Sequence, residues 1–279
     1  MFHRVLMVAV ATVVTLLGVQ PALARTSHRI VSLSPTATES LFAIGAGAQV
    51  VAVDDQSDYP KRAPHTSLSG YTPNLEAIAG YRPDLVVLSG DANDVVAGLR
   101  KLGIRVLLQP AAKNLAEAYA EIRQLGAVTG HRRGAAAVVT RMKSAIASVL
   151  KSTPEHGLSV YHELTPDYYS ATSKTFIGRI YKLFGLRNIA DAADSSGTGF
   201  PQLSAEYIIS ADPSLIVLAD TRCCAQSAKA VGNRPGWAGL AAVRRGNVIG
   251  IDDSVASRWG PRIVQFVRAV GKALRRHGG

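Results

Sequence analysis

Short aliphatic runs alternate along this chain with amphipathic and alanine-rich segments. Each run ends at proline, glycine or a polar residue, which is typical of buried strands. Because helix-forming segments separate the runs, the pattern predicts an α/β fold whose mainly parallel sheets are covered by helices. The predicted strands are Arg29–Pro35, Val50–Val53, Leu85–Leu88, Ile104–Leu108, Leu158–Leu164, Leu215–Leu218 and Val248–Ile251.

One motif occurs in each half of the chain. In Pro73–Leu88, Glu76 stands seven residues before a proline, and a Leu-Val-Val-Leu run follows. Pro201–Leu218 repeats this spacing with Glu206 and a Leu-Ile-Val-Leu run. The surrounding order of strands and helices repeats as well, so the sequence predicts two similar lobes.

A long helical segment separates the two copies. Asn114–Lys151 contains mostly helix-forming residues, and Gly126 with Gly130 predicts a break within it. The predicted organisation is an N-terminal α/β lobe over residues 25–130, a bridging helix over residues 131–152, and a C-terminal α/β lobe over residues 153–279.

Residues 1–24 have the pattern of a secretory signal peptide. Arg4 precedes the apolar region Val5–Val19, and Ala22–Ala24 forms a small-x-small cleavage site. The apolar region is short for a membrane-spanning helix, although an uncleaved anchor is the alternative. No cysteine follows it that could carry a lipid, so we expect a periplasmic protein that is soluble after signal cleavage.

Charge and cysteine content narrow the function only slightly. The chain has 31 Lys and Arg against 20 Asp and Glu, a formal net charge of +11. The basic residues are scattered along the sequence, which favours a solvated surface and no nucleic-acid partner. Cys223 and Cys224 are adjacent, so in an exported protein they are either free or joined in a strained vicinal disulfide.

Three helix starts carry acidic residues. Thr36–Glu39 matches a capping box, while Glu76 and Glu206 each follow a good N-cap residue by two positions. The helix dipole alone could account for each acid. Their symmetric recurrence also suits a partner that presents two basic residues related by two-fold symmetry.

Several aromatic residues fall in loops where predicted strands end. Ligands of open α/β sheets bind at this edge, and aromatic rings there favour a flat, largely apolar ligand. The aromatic residues concerned are Tyr59, Tyr71, Tyr168, Tyr169, Phe200 and Trp259.

Known enzyme motifs are missing from the sequence. It has no nucleophile elbow, phosphate-binding loop or His-Glu-x-x-His motif, and no catalytic residue or resident cofactor is predicted. His162 and Glu163 are adjacent in a strand pattern and leave a metal-handling enzyme as an alternative.

The chain resembles the periplasmic binding proteins of ABC importers for vitamin B12, haem and ferric siderophores. The resemblance covers nearly the whole chain after the signal segment, and it depends on the combination of several motifs. These motifs are Arg29–Glu39, Ser57–Pro60, Pro73–Glu76, Arg82–Val86, Thr175–Gly178, Pro201–Ser204 and Ser257–Arg262.

The resemblance implies a monomer with two lobes joined by one long helix, the class III or helical-backbone type, and little hinge closure. It also implies that Glu76 and Glu206 dock onto arginines of a dimeric permease. The motifs are most similar to those of the cobalamin binders, which implies a corrinoid ligand held by Tyr59, Tyr71, Tyr169, Phe200, Trp259 and Arg262.

Other functions stay open at this level. Phe200 stands where cobalamin binders often have Trp, and Tyr71 resembles the iron-ligating tyrosine of haem carriers, so haem or a ferric siderophore is the first alternative. A chelatase-like enzyme using His162 and Glu163 is the second, because chelatases resemble this two-lobed fold. The third is a receptor-like binding module without transport.

Overall fold

Two four-stranded parallel sheets form the framework of the protein. The computed structural model describes residues 28–153 and 157–276, so the predicted signal segment lies outside the described residues. The strand orders are β2-β1-β3-β4 and β6-β5-β7-β8, and every strand pair in them is parallel. The strands are β1 Ile30–Leu33, β2 Val50–Val53, β3 Leu85–Leu88, β4 Arg105–Leu108, β5 Ser159–Glu163, β6 Arg187–Asn188, β7 Leu215–Leu218 and β8 Val248–Gly250.

Helices connect the strands in the same order in both lobes, as the repeated motif predicts. None of the described helices combines the length and apolar composition needed to cross a membrane. They are α1 Pro35–Ala43, α2 Leu75–Gly80, α3 Val95–Lys101, α4 Leu115–Val128, α5 Arg132–Lys151, α6 Phe176–Lys182, α7 Ala205–Ala211, α8 Ala228–Gly232, α9 Ala241–Arg244, α10 Asp253–Ala256 and α11 Ile263–Arg275.

Three apolar layers hold these elements together. A central core unites α1, α4, α5, α6 and α11 with one face of each sheet, so it runs through both lobes. The other face of the first sheet packs against α2 and α3, and that of the second sheet packs against α7, α8 and α9. Strands β1, β3 and β7 are buried on both faces, which explains their mostly aliphatic sequences.

Helix α5 packs against both lobes. Near its start, a Cβ atom built on Gly134 would lie 2.0 Å from the carbonyl oxygen of Ile44, at the end of α1. Near its other end, Val149 packs against Gly271 of α11. Because both approaches are close, α5 is tied to each lobe by packing as well as by the chain.

The structure corrects the predicted start of α1. Its N-cap is Ser34, whose hydroxyl accepts a hydrogen bond from the amide of Ala37, and not Thr36. Glu39 therefore does not close a capping box; its side chain is buried and bonds across the molecule, as described below.

Three short elements were not predicted: β6, α8 and α10. The segment 237–244 is divided into a 3₁₀ turn, Trp237–Gly239, and α9. A strand of two residues and helices of about one turn contain too few residues for their apolar periodicity to be recognised in the sequence.

Candidate ligand-binding site

Segments that follow the carboxyl ends of strands in both sheets meet between the lobes. They enclose a cavity of about 300 Å³, at the edge where open α/β sheets bind ligands. One wall comes from the N-terminal lobe just after β4, and the other walls come from the C-terminal lobe. The residues that shape the cavity include Ala111, Lys113, Phe176, Thr198, Phe200 and Trp259.

Two of the predicted ligand-binding residues, Phe200 and Trp259, border this cavity together with Phe176. Phe176 begins α6 directly after the N-cap Thr175, whose hydroxyl accepts a hydrogen bond from the amide of Gly178 at 3.1 Å. Phe200 is 48% exposed. The cavity therefore offers aromatic surface that solvent can reach.

Trp259 is oriented by the opposite lobe. Its indole Nε1 donates a hydrogen bond of 2.7 Å to Oε2 of Glu121 in α4. Burial raises the pKa of Glu121 to about 7, and the bond from Trp259 acts in the opposite direction. This contact fixes one aromatic wall of the cavity with respect to both lobes.

Tyr59 and Arg262 lie together, but in a different place. They line a separate groove of about 300 Å³ between the lobes, alongside Phe42 and Pro60. The guanidinium of Arg262 is 4.3 Å from the centre of the Tyr59 ring, a cation–π distance. The structure thus groups these two residues with each other rather than with Phe200 and Trp259.

Tyr71 and Tyr169 are exposed and line neither of these two spaces. Tyr71 is 80% exposed in a turn where its amide donates to the hydroxyl of Ser69. Tyr169 is 40% exposed and forms a backbone bridge with Gln202, just after Phe200. Their role in ligand binding stays a prediction.

Three arginines join the lobes, and only one of them, Arg262, is among the ligand-binding residues predicted from the sequence. Arg258 donates to Glu39 at 3.0 Å and to Asp58 at 2.7 Å, and Arg262 also donates to Glu39. At the exposed edge, Arg222 donates to Asp58 at 3.4 Å. The partners are more than 160 residues apart in sequence, so no local pattern could have paired them.

The carboxyl ends of β5 and β7 carry a buried polar cluster. Both carboxylate oxygens of Glu163 accept bonds of 2.6 Å from Arg234. Asp220 is fully buried, and burial together with the nearby charge of Glu163 raises its pKa to about 7. Because Glu163 is already paired with Arg234, we infer that this cluster stabilises the C-terminal lobe.

His162 and Glu163 do not form a shared metal site. Adjacent strand residues point to opposite faces of a sheet, and His162 lies in the central core with Nδ1 2.6 Å from the hydroxyl of Tyr181. Burial lowers the pKa of His162 to about 3. Among the described residues, no group of three potential ligands is placed to hold a metal ion.

The two acids of the repeated motif occupy equivalent positions. Glu76 and Glu206 are exposed in the first turns of α2 and α7, after the N-caps Asn74 and Ser204. Hydrogen bonds from its own backbone amide and from Ser204 hold the pKa of Glu206 below its usual value. Both carboxylates are thus presented to solvent, one on each lobe.

The two cysteines, whose state the sequence left open, are joined as a vicinal disulfide in the loop after β7. The backbone amide of Cys223 donates to the carboxylate of Asp253 at 2.8 Å, and the amide of Arg222 donates to the same side chain at 3.0 Å. This attaches the disulfide loop to the start of α10, next to the contacts between the lobes.

Comparison with known proteins agrees with this architecture. The family model described as periplasmic binding protein matches residues 30–255. An uncharacterized ABC transporter substrate-binding lipoprotein of Bacillus subtilis, YvrC, is 31% identical over 88% of this chain and 79% of its own length. The cobalamin-binding protein of Halobacterium salinarum is also 31% identical, over 88% of this chain and 69% of its own.

A solved structure extends the likeness. The periplasmic vitamin B12-binding protein BtuF of Vibrio cholerae superposes with a TM-score of 0.72 at 26% identity, covering 89% of this chain and 97% of that one. The names of these three proteins describe the binding of a transported substrate, of cobalamin and of vitamin B12, respectively. Because the family model spans most of its length, this chain belongs to the periplasmic binding protein family, the substrate-binding proteins of ABC importers.

Proposed function

We propose that this protein captures a corrinoid between its lobes and delivers it to the permease of an ABC importer. The observation that carries the proposal is that Phe200 and Trp259, with Phe176, border one cavity between the lobes. Aromatic faces around an open cavity suit a flat, largely apolar ligand. The cobalamin-binding protein of Halobacterium salinarum and BtuF of Vibrio cholerae favour a corrinoid within that class.

Calorimetric titration with cyanocobalamin, haemin and a ferric siderophore tests the choice of ligand. We expect cyanocobalamin to bind, and Phe200→Ala and Trp259→Ala each to weaken it about tenfold, which corresponds to about 1.4 kcal/mol. Leu102→Ala is the control, because Leu102 is 54% exposed and lies outside the cavity. Equal affinities for the control and the aromatic variants would place the ligand elsewhere.

Haem binding is the alternative outcome of the same titration. Tyr71 has an exposed phenol that could ligate iron. A Soret shift with haemin that disappears in Tyr71→Phe, together with no heat from cyanocobalamin, would replace the corrinoid with haem. An absence of heat and of spectral change with all three ligands would refute the proposed ligand class.

Delivery is assigned to the two exposed acids. In a two-point docking surface, Glu76 and Glu206 each bind one half of a symmetric permease, and the charge pairs orient the complex. We expect Glu76→Ala and Glu206→Ala to reduce uptake in a reconstituted transporter, and the double variant to reduce it further. Ligand affinity should stay unchanged in all three variants, since neither acid lines the cavity. Unimpaired uptake by the double variant would favour a binding module without this docking role.

A further inference from the structure

Helices α5 and α11 lie side by side on the surface of the protein. Arg141 of α5 and Arg268 of α11 line the same groove, and Nη1 of Arg275 donates to the hydroxyl of Thr153 at 2.8 Å, just beyond the end of α5. Because the middle of α5 meets the first half of α11 and the late parts of both helices also meet, the helices run parallel, and their solvent-exposed sides adjoin.

This pair of helices is basic along its whole length. Neither α5 nor α11 contains an Asp or a Glu, although the chain has 20 of them. Their exposed residues include nine cations, counting Arg276, which caps the C-terminal end of α11. We name these nine the basic face: Arg132, Arg133, Arg141, Lys143, Lys151, Arg268, Lys272, Arg275 and Arg276.

The charge of the basic face is not neutralised within the described part of the chain. None of the nine cations takes part in an ion pair there. Lys143 lies over the ring of Tyr119, 5.4 Å from its centre, and Arg275 bonds to neutral hydroxyl groups. Basic residues that are scattered along the sequence are therefore concentrated by the fold on this side of the protein.

An apolar groove opens beside these cations. Between α1, α5 and α11 lies a space of about 210 Å³, and it adjoins the groove that contains Tyr59. Its floor is formed by apolar side chains, including Val138, Met142 and Val264, and Arg141 and Arg268 border it. A cationic rim over an apolar floor is complementary to a molecule that joins an anionic group to hydrocarbon.

The basic face is also separate from the proposed docking acids. Helices α2 and α7, which carry Glu76 and Glu206, cover the outer faces of the two sheets. Helices α5 and α11 cover the opposite faces, in the central core. A partner on the basic face therefore does not compete for the acids.

We propose that the basic face binds the surface of an anionic phospholipid bilayer. Clustered Lys and Arg are attracted to anionic headgroups, and the apolar groove can accept part of an acyl chain, which a nucleic acid does not offer. The contact is electrostatic, so it weakens with salt as the screening length falls from about 10 Å at 0.1 M to about 3 Å at 1 M. This inference is independent of which ligand the cavity binds.

Co-sedimentation with vesicles tests whether the basic face binds an anionic bilayer. We expect the protein to bind vesicles of phosphatidylcholine with phosphatidylglycerol at low salt and to be released from them at high salt. It should not bind vesicles of pure phosphatidylcholine. The triple variant Arg141→Glu, Arg268→Glu, Lys272→Glu should lose at least tenfold in affinity. Its circular dichroism and thermal unfolding verify the fold, and a triple Gln variant with a smaller loss serves if the Glu variant is unstable.

A charge-matched control tests whether vesicle binding depends on the basic face itself or only on the net charge of the protein. Arg100→Glu, Lys101→Glu, Arg245→Glu makes the same change in net charge at exposed positions on other helices and loops. We expect this control to retain most of the vesicle affinity. Equal losses in the two triple variants, or binding that survives high salt, would overturn the proposal. Tighter binding to a DNA duplex than to the anionic vesicles would assign the face to nucleic acid instead.

Discussion

The contact that joins the two lobes can be tested at one residue, Glu39. Its side chain is only 1% exposed and accepts hydrogen bonds from Arg258 and Arg262, whose side chains are each 13% exposed. Glu39→Gln preserves the shape of the side chain but removes its charge. Both guanidinium groups donate to the same oxygen, Oε1, so after the substitution two largely buried cations face a neutral amide.

The expected cost follows from these contacts. Each hydrogen bond to a charged group contributes about 1.5–3 kcal/mol, and removing one partner of a buried ion pair costs about 3–5 kcal/mol. Arg258 keeps a second partner, since Asp58 lies 2.7 Å away. We therefore place Glu39→Gln at the lower end, about 3 kcal/mol. That is a large fraction of a typical unfolding free energy of about 5–15 kcal/mol.

Urea unfolding followed by circular dichroism measures this cost. Arg222→Gln is the matched control, because Arg222 also bridges the lobes but is 61% exposed and pairs with Asp58 and Asp252 at 3.4 and 3.1 Å. Such exposed pairs contribute about 0–1 kcal/mol. If Glu39→Gln costs no more than Arg222→Gln, the buried carboxylate does not hold the lobes together and the reasoning fails.

Three further predictions concern stability. Burial raises the pKa of Asp220 from 3.8 to about 7, so its contribution to the free energy of unfolding is fully present below about pH 4 and is lost as the pH rises through about 7. Asp220→Asn should therefore make the free energy of unfolding less dependent on pH between about pH 5 and pH 8. An unchanged slope would mean that Asp220 does not cause this pH dependence. Gly134→Ala places a Cβ 2.0 Å from a backbone oxygen at the end of α1 and should cost about 1–3 kcal/mol in urea unfolding, whereas Gly80→Ala, with open space around it, should be neutral or stabilising. Asn74→Ala and Ser204→Ala each remove an N-cap bond and should each cost about 1 kcal/mol; thermal unfolding of the double variant should show additive costs, and strong coupling would mean that the two lobes do not respond independently.

The elements that the sequence predicted correctly are those with local signals. The strand β3 and its counterpart β7 are unbroken aliphatic runs, which indicate burial on both faces without any knowledge of neighbours. The caps Asn74 and Ser204 act within three residues of their own helices. Together with the repeated order of elements, these signals were enough to predict two parallel α/β lobes, which the fold confirms.

Contacts between distant residues were decided only by the tertiary structure. Glu39 was assigned to a local capping box, yet its partners are 219 and 223 residues away. Phe200 and Trp259 meet at one cavity while Tyr59 lies in another groove, because the packing of the two lobes determines which loops adjoin. The cations of α5 and α11 form one surface for the same reason. The sequence by itself therefore determined most of the elements and their repetition, whereas the lobe interface, the grouping of the aromatic residues and the basic face arise from how those elements pack.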